Sequence, residues 1–324
     1  MNLEELCLPI KSELSEVDRT IQANLVSSSP FVTDIAQYVA QNGGKRLRPI
    51  LCLLSSRISG ARDKRIIESA VAMEFFHTAT LMHDDVIDNA ELRRGKTSAN
   101  SRWGNQIAVL VGDFFYCRAS DLLVGLRDLR VIELITRIMQ ITTEGEIFEI
   151  VKSNDLNCTE DDYLKIVRGK TAELMGACCE IGGILGNVSE EFTQALREYG
   201  LHIGIAFQLA DDLLDYMSDP SQFGKTKGTD LKEGKLTLPL LVALKKANEP
   251  ERRLIKDALI AERLEENRLK EIISIIEYHG GIQATRDLAQ SYIQKAKEAL
   301  TPFKPSIEKE ALVCLADYVI QRQQ

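Results

Sequence analysis

Proline is scarce and unevenly placed: none of the eight falls between Pro49 and Pro220. Proline fixes φ, removes a backbone donor and disrupts helix interiors. A β-rich or α/β chain of this size would need more of it in its turns. No apolar run approaches the roughly 18–20 residues that span a bilayer. The opening MNLEELCLPIKSELSEV carries acids where a secretory leader would be basic and then apolar. The seven cysteines, at 7, 52, 117, 158, 178, 179 and 314, form no CxxC pair. That scatter reads as reduced core thiols in a cytoplasmic protein. HExxH, zinc-type Cys/His spacing and the GxxxxGK[ST] loop are all missing, which argues against zinc hydrolysis and P-loop chemistry. Positive charge is the minority: 40 Lys and Arg against 48 Asp and Glu give a net charge of −8. With a pI near 5.3, nucleic acid is an improbable partner.

What is present is ordinary globular chemistry. The chain is 44% hydrophobic and 27% charged, with a mean hydropathy near zero, which excludes disorder throughout. In 66–82 (IIESAVAMEFFHTATLM) apolar side chains recur on several faces, as in a buried helix. The segments 130–151 and 190–217 read alike, and strand-type alternation is brief wherever it occurs. The pattern predicts an all-α protein of ten or more helices. Its breaks are short: SSSPF at 27–31, QNGGKRLRP at 41–49, and a polar link at 153–162 in which Thr159 and Asp162 can form a capping box. Residues 218–239 form the longest loop, and long loops in compact domains are often functional. With no low-complexity linker and no short repeat, residues 1–324 read as one domain, in which 1–29 is an N-terminal helical segment.

One pattern occurs twice. DDVID supplies Asp84, Asp85 and Asp88, and DDLLD supplies Asp211, Asp212 and Asp215. Residues i and i+4 share a helix face, so Asp84 projects with Asp88 and Asp211 with Asp215. Each cluster closes a strongly apolar stretch, where carboxylates repel one another and burial raises their pKa values. A divalent cation removes both problems, and an all-oxygen ligand set favours Mg²⁺ or Mn²⁺. A single such cluster is more often a solvated helix end; two, each after a buried helix, reverse that judgement. Basic residues supply the other half. GGKRLRP gives Lys45, Arg46 and Arg48. LRRGKTSAN gives Arg93, Arg94 and Lys96. RGKT gives Arg168, Lys170 and Thr171, and the long loop gives Lys225, Lys227, Lys232 and Lys235. Flexible glycines and fixed cations suit phosphate oxygens. Metal-binding carboxylates with cations and no P-loop point to a pyrophosphate bridged by Mg²⁺.

The set GGKRLRP, HDDVIDNAELRRG, GDFFY, GKT, FQLADDLLDY and GKTKGTDLKEGKLTLP resembles the trans-isoprenyl diphosphate synthases, and most of all their long-chain, octaprenyl-type branch. The match runs in the family's order over roughly residues 30–320. The resemblance implies a single-domain helical bundle around a central cavity, normally a homodimer, with the two aspartate motifs facing each other at the cavity mouth. It implies that Asp84, Asp88 and Asp211 ligate three Mg²⁺ on an allylic diphosphate, with Asp85, Asp212 and Asp215 in support. It implies that Arg93, Lys170, Lys225 and Lys235 hold that diphosphate, and that Lys45, Arg48, His77 and Arg94 hold isopentenyl diphosphate. His77 would otherwise read as a satisfied core histidine. Thr171 and Gln208 would offer oxygen dipoles to an allyl cation.

The product would grow beside the helix that precedes Asp84, past Thr80, Ala79, Phe76 and Met73. Short-chain members place aromatics at the positions taken here by Ala79 and Thr80, so the tunnel should stay open there. Phe76, Phe115 or Phe114 could form its floor. The implied reaction is stepwise condensation of farnesyl diphosphate with isopentenyl diphosphate to an all-trans product of C35–C50, about C40, for quinone side chains. A C20 (geranylgeranyl) synthase, a terpene cyclase and a non-catalytic subunit of a heteromeric synthase are the rival readings. A cyclase would usually carry an NSE-type second motif, and a non-catalytic subunit would usually have lost ligands. A C40 product is membrane-soluble, which implies transient bilayer contact by a cytoplasmic enzyme.

Overall fold

The computed structural model describes residues 3–41, 44–217, 228–261 and 264–321. The all-α expectation holds. Among the described residues the only sheet is a two-stranded ribbon that pairs Leu92 with Thr97 and Arg93 with Lys96. The helices are α1 (Leu3–Leu6), α2 (Lys11–Asn24), α3 (Pro30–Gln41), α4 (Leu47–Ile58), α5 (Arg65–Ile87), α6 (Ala99–Trp103), α7 (Asn105–Gly125), α8 (Leu129–Lys152) and α9 (Glu160–Val167). After a π-helical turn at Arg168–Ala172 come α10 (Glu173–Gly186), α11 (Glu190–Met217), α12 (Thr229–Lys232), α13 (Leu238–Lys246), α14 (Glu249–Leu259), α15 (Glu266–Tyr278), α16 (Gly281–Ala299) and α17 (Ile307–Gln321). No helix among the described residues is long and apolar enough to cross a membrane.

The residues group into two compact units. The first comprises Met1–Arg137, Met175–Gly200 and Leu300–Leu315. Its centre is α5, whose run Ala70–Phe76 is buried on every face, as a run apolar at every position but Glu74 requires. The helix packs against α2, α4 and α7. Two edge-to-face aromatic pairs join α5 to α7: Phe75 with Phe115, centroids 5.4 Å apart, and Phe76 with Tyr116, at 5.0 Å. Such pairs add about 0.5–1.5 kcal/mol each beyond burial. On α7, Val109, Leu110 and Val124 are exposed, and Tyr116 remains partly so at the edge of its contact with Phe76.

The second unit comprises Ile138–Leu174, Leu201–Ala299 and Ala316–Gln324. Its core is a cluster in which Leu240, Ile255, Ile272 and Ile276 are fully buried. Here α13 packs on α9, α15 and α16. Thr159 and Asp162 form the expected capping box at the start of α9.

Three sequence readings are sharpened. The connector after α3 stops at Arg46, because Leu47–Pro49 already form the first turn of α4. The described part of the long loop, from Gly228 onward, contains a helical turn, α12. Five of the seven cysteines are buried, but Cys117 is exposed and Cys314 half-buried.

Candidate active site

The first aspartate cluster ends α5. Asp88 is the helix C-cap and donates its backbone N–H to Asp84 O at 2.8 Å, so the two carboxylates leave the last turn one above the other. Both are half-buried, while Asp85 is buried. Asp85 accepts two bonds from Arg93, one from Nε at 2.8 Å. Its backbone carbonyl accepts from Asn100 Nδ2 at 3.0 Å. Arg93 sits on the short ribbon, whose two turn residues, Arg94 (φ 54°) and Gly95 (φ 77°), are both left-handed. That is the signature of a type I′ hairpin turn, in which glycine is ordinary and arginine is not.

A cleft opens beside α5, lined by His77, Thr78, Leu81 and Asp85 together with Arg46, Arg93 and Arg94. The His77 pKa lies well below the usual imidazole range, first because of burial and then because of Arg48, Arg94 and Arg93. It is therefore a neutral donor at physiological pH. Arg48 is buried and Lys45 exposed. Of the residues predicted to set chain length, Met73, Phe76, Ala79 and Phe115 are buried in this unit. Thr80 is half-buried and donates its hydroxyl to His77 O at 2.9 Å.

The second cluster lies on α11. A cavity is lined there by Lys170, Thr171, Gln208, Asp212, Asp230 and Lys235, among others. Lys170 and Thr171 project from the π-helical turn, a distortion found mostly as single turns at functional sites. Gly145 of α8 permits it, since a Cβ there would lie 2.9 Å from Lys170 N and 3.0 Å from Gly169 C. Lys170 Nζ donates to Glu146 at 2.8 Å and to Glu149 at 2.7 Å. Thr171 Oγ1 donates to Gln208 Oε1 at 3.1 Å, Gln208 Nε2 donates to Asp212 Oδ1 at 2.9 Å, and the Tyr163 hydroxyl donates to Asp212 Oδ2. Asp215 accepts the backbone N–H groups of Thr229 and Asp230, both at 3.1 Å, and thereby ties α12 to α11. Lys235 pairs with Glu233 at 2.8 Å. Lys225 lies outside the described residues.

Sequence reading named Arg46 only as one cation of GGKRLRP and missed Glu74, Glu146, Glu149, Tyr163 and Asp230. Only Glu74 carried a visible signal, as an acid inside an apolar helical run.

The polyprenyl synthetase family profile matches residues 29–276. The chain belongs to that family. It is 37% identical over 322 residues to the octaprenyl diphosphate synthase of Escherichia coli K12, covering 99% of each chain. It is 31% identical to the geranylgeranyl diphosphate synthase of Saccharolobus solfataricus, over the full length of both. A crystal structure of a Caulobacter crescentus polyprenyl synthase, complexed with calcium and isoprenyl diphosphate, matches it with a TM-score of 0.95 and 38% identity, covering 100% of this chain and 98% of that one. The chain is thus a prenyltransferase, a trans-prenyl diphosphate synthase, as its motifs implied.

The donor set suits the divalent metal that the family uses. Among the described residues no three acidic, imidazole or thiol groups form a ready cage. Mg²⁺ usually takes one or two carboxylates and completes its shell with water and substrate phosphate. Burial is the largest influence on the carboxylates of both clusters. Burial and then Asp88 raise the Asp85 pKa despite Arg93. Burial, with Asp211 and Glu149, pushes Asp212 up to about 7 despite its two hydrogen bonds. Asp230 is raised well above its usual value by burial and by Asp215 and Asp212.

A pH dependence follows. Between the ordinary 3.8 and about 7, the folded protein holds a proton on Asp212 that the unfolded chain has lost, so stability falls as pH rises through that window. Divalent cations bind the deprotonated form. We expect the metal-free Tm to fall between about pH 6 and pH 8, and millimolar Mg²⁺ to restore more of it at the higher pH. Neutral His77 acts in the opposite direction below its usual pKa, so the difference between wild type and Asp212→Asn isolates the effect. Thermal melts of both proteins check it, and identical pH profiles would contradict it.

Proposed function

We propose that this protein is a long-chain synthase that extends farnesyl diphosphate with isopentenyl diphosphate to an all-trans product of C35–C50, about C40, suited to a quinone side chain. The observation that carries the length is the pair of small side chains, Ala79 and Thr80, one turn before Asp84, where an aromatic ring would close the path. The octaprenyl synthase relative supports the same length. The geranylgeranyl reading draws on a specific observation too: Phe76, one turn deeper and fully buried, could be the floor that stops growth at C20.

Asp84, Asp88 and Asp211 would ligate Mg²⁺, three ions in the family pattern, with Mn²⁺ as a substitute. Asp85, Asp212 and Asp215 act in support, consistent with the protein partners each already has. When bound, the ions supply the Lewis acidity that makes pyrophosphate a leaving group. Arg93, Lys170 and Lys235 exchange their carboxylate partners for diphosphate oxygens, and Lys225 shares that role. Lys45, Arg48, Arg94 and neutral His77 hold isopentenyl diphosphate. As the allylic C1–O bond breaks, the oxygens of Thr171 and Gln208 stabilise the cation, whose orientation is fixed by the bond through Gln208 to Asp212. The double bond of isopentenyl diphosphate attacks C1, and the C2 proton leaves to the released pyrophosphate.

The single-domain reading of 1–324 rests on end-to-end similarity to the relatives. A homodimer is the expected assembly, and the exposed apolar stripe of α7 is the face a second copy would cover. The expected enzyme is cytoplasmic and meets the bilayer only to release its product. The purified chain alone, with Mg²⁺ and both substrates, should release pyrophosphate. Failure without a second protein would favour the non-catalytic subunit reading.

A further inference from the structure

Glu74 is the least expected side chain in the first cleft. It lies in the most apolar stretch of α5 and is 6% exposed. A buried carboxylate is costly unless it is paired, and an apolar residue of similar size often gives as much stability or more. Its partner is Arg46, whose Nη1 donates to Glu74 Oε1 at 2.8 Å. Arg46 is strained at φ 50° and stands at the N-cap of α4 without a side-chain capping bond. A left-handed non-glycine residue persists where its surroundings over-determine it. Here they do so through Glu74 and, more loosely, through Asp18 at 3.4 Å.

The connector fixed in this way ends in Arg46, which lines the cleft. The backbone of Gly44, two residues before Arg46, lies so close to Arg94 that a Cβ on it would sit 2.7 Å from Arg94 Nη1. Arg94 is an exposed residue, yet its guanidinium is packed against that backbone. Burial lowers the Arg94 pKa, and the Glu74 charge opposes that. On α5, Glu74 stands one turn before His77 and Thr78, and Asp85 lies at the other end of the same cleft-lining stripe. Each carboxylate holds one arginine: Glu74 holds Arg46, and Asp85 holds Arg93.

We propose that Glu74 is a positioning residue for the isopentenyl diphosphate subsite: it locks Arg46 and the 44–46 connector, and through them the placement of Arg94, without touching the reacting carbons. The inference rests on reading this cleft as that subsite. It predicts a split between the two substrates. In Glu74→Gln, KM for isopentenyl diphosphate rises about tenfold or more, the equivalent of about 1.4 kcal/mol of binding. KM for the allylic diphosphate stays within about twofold and kcat within about threefold. Arg46→Gln removes the same bond from the more accessible side and should give the same split, so it serves if Glu74→Gln does not fold. The double variant should be no worse than either single one, because residues acting as a unit are not additive.

Steady-state kinetics with each substrate varied in turn, on variants checked by thermal melts, tests this. An unchanged isopentenyl diphosphate KM, or an equal rise in both KM values, overturns the role of Glu74. Arg94→Gln separates the two levels. If it raises the isopentenyl diphosphate KM while Glu74→Gln does not, only the positioning role fails. If neither variant raises it, the reading of the cleft fails as well.

Discussion

Asp84→Asn lowers kcat/KM by at least about a thousandfold, roughly 4 kcal/mol of transition-state stabilisation, while Tm changes little. The two halves of that result have separate causes. Ionising an allylic diphosphate needs charge stabilisation on the departing pyrophosphate, and removing one group of such an arrangement typically costs about 10²–10³ in kcat. Asp84 is assigned as a direct metal ligand, so its loss also weakens the ion's hold on the substrate and the total is larger. Stability responds less because Asp84 is half-buried at the end of α5, where polar substitutions usually stay within about 0.5 kcal/mol. Its neighbour behaves differently: Asp85 is buried and doubly bonded to Arg93, so its removal strands a guanidinium. Kinetics and thermal melts on Asp84→Asn check the expectation. Activity within tenfold of wild type would remove Asp84 from the ligand set.

Ala79→Phe shifts the product from about C40 to C15–C20. Each further C5 unit buries four to five carbons, worth roughly 3 kcal/mol at about 0.8 kcal/mol per carbon. A steric stop must oppose that gain at one depth, and a ring at position 79, five residues before Asp84, is placed to do so. The cost to the fold is bounded. Ala79 is 1% exposed, and overpacking such a site costs typically about 1–3 kcal/mol, which lowers Tm without abolishing folding. Sizing the products of the variant beside those of wild type checks it. An unchanged distribution from a folded variant would place the growing chain elsewhere.

Much of this protein was legible before its structure. The apolar periodicity of 66–82, 130–151 and 190–217 marked α5, α8 and α11 because long buried helices leave an uninterrupted pattern. Thr159 and Asp162 announced a helix start through local hydrogen bonding, and the structure bears that out. The i, i+4 pairing of Asp84 with Asp88 survives as one turn of α5. Less legible were features set by packing or backbone geometry. The π-helical turn that presents Lys170 and Thr171 depends on the close approach of Gly145 to Gly169, and no local propensity encodes that approach. The left-handed Arg94 is held by its ribbon, although arginine favours no such turn. Glu74 stood in plain view inside an apolar run, but its meaning needed Arg46, which lies 28 residues away. Glu146 and Glu149 carried no mark within 130–151, and it is the placement of Lys170 that joins them.

The central claim is the length of the product, and sizing it is the most direct test. Purified wild-type protein is incubated with Mg²⁺, farnesyl diphosphate and excess isopentenyl diphosphate, and the dephosphorylated prenols are separated and weighed by mass spectrometry. A distribution ending within C35–C50 and centred near C40 is the predicted result. A sharp stop at C20 would contradict it and make Phe76 the floor of a shorter tunnel.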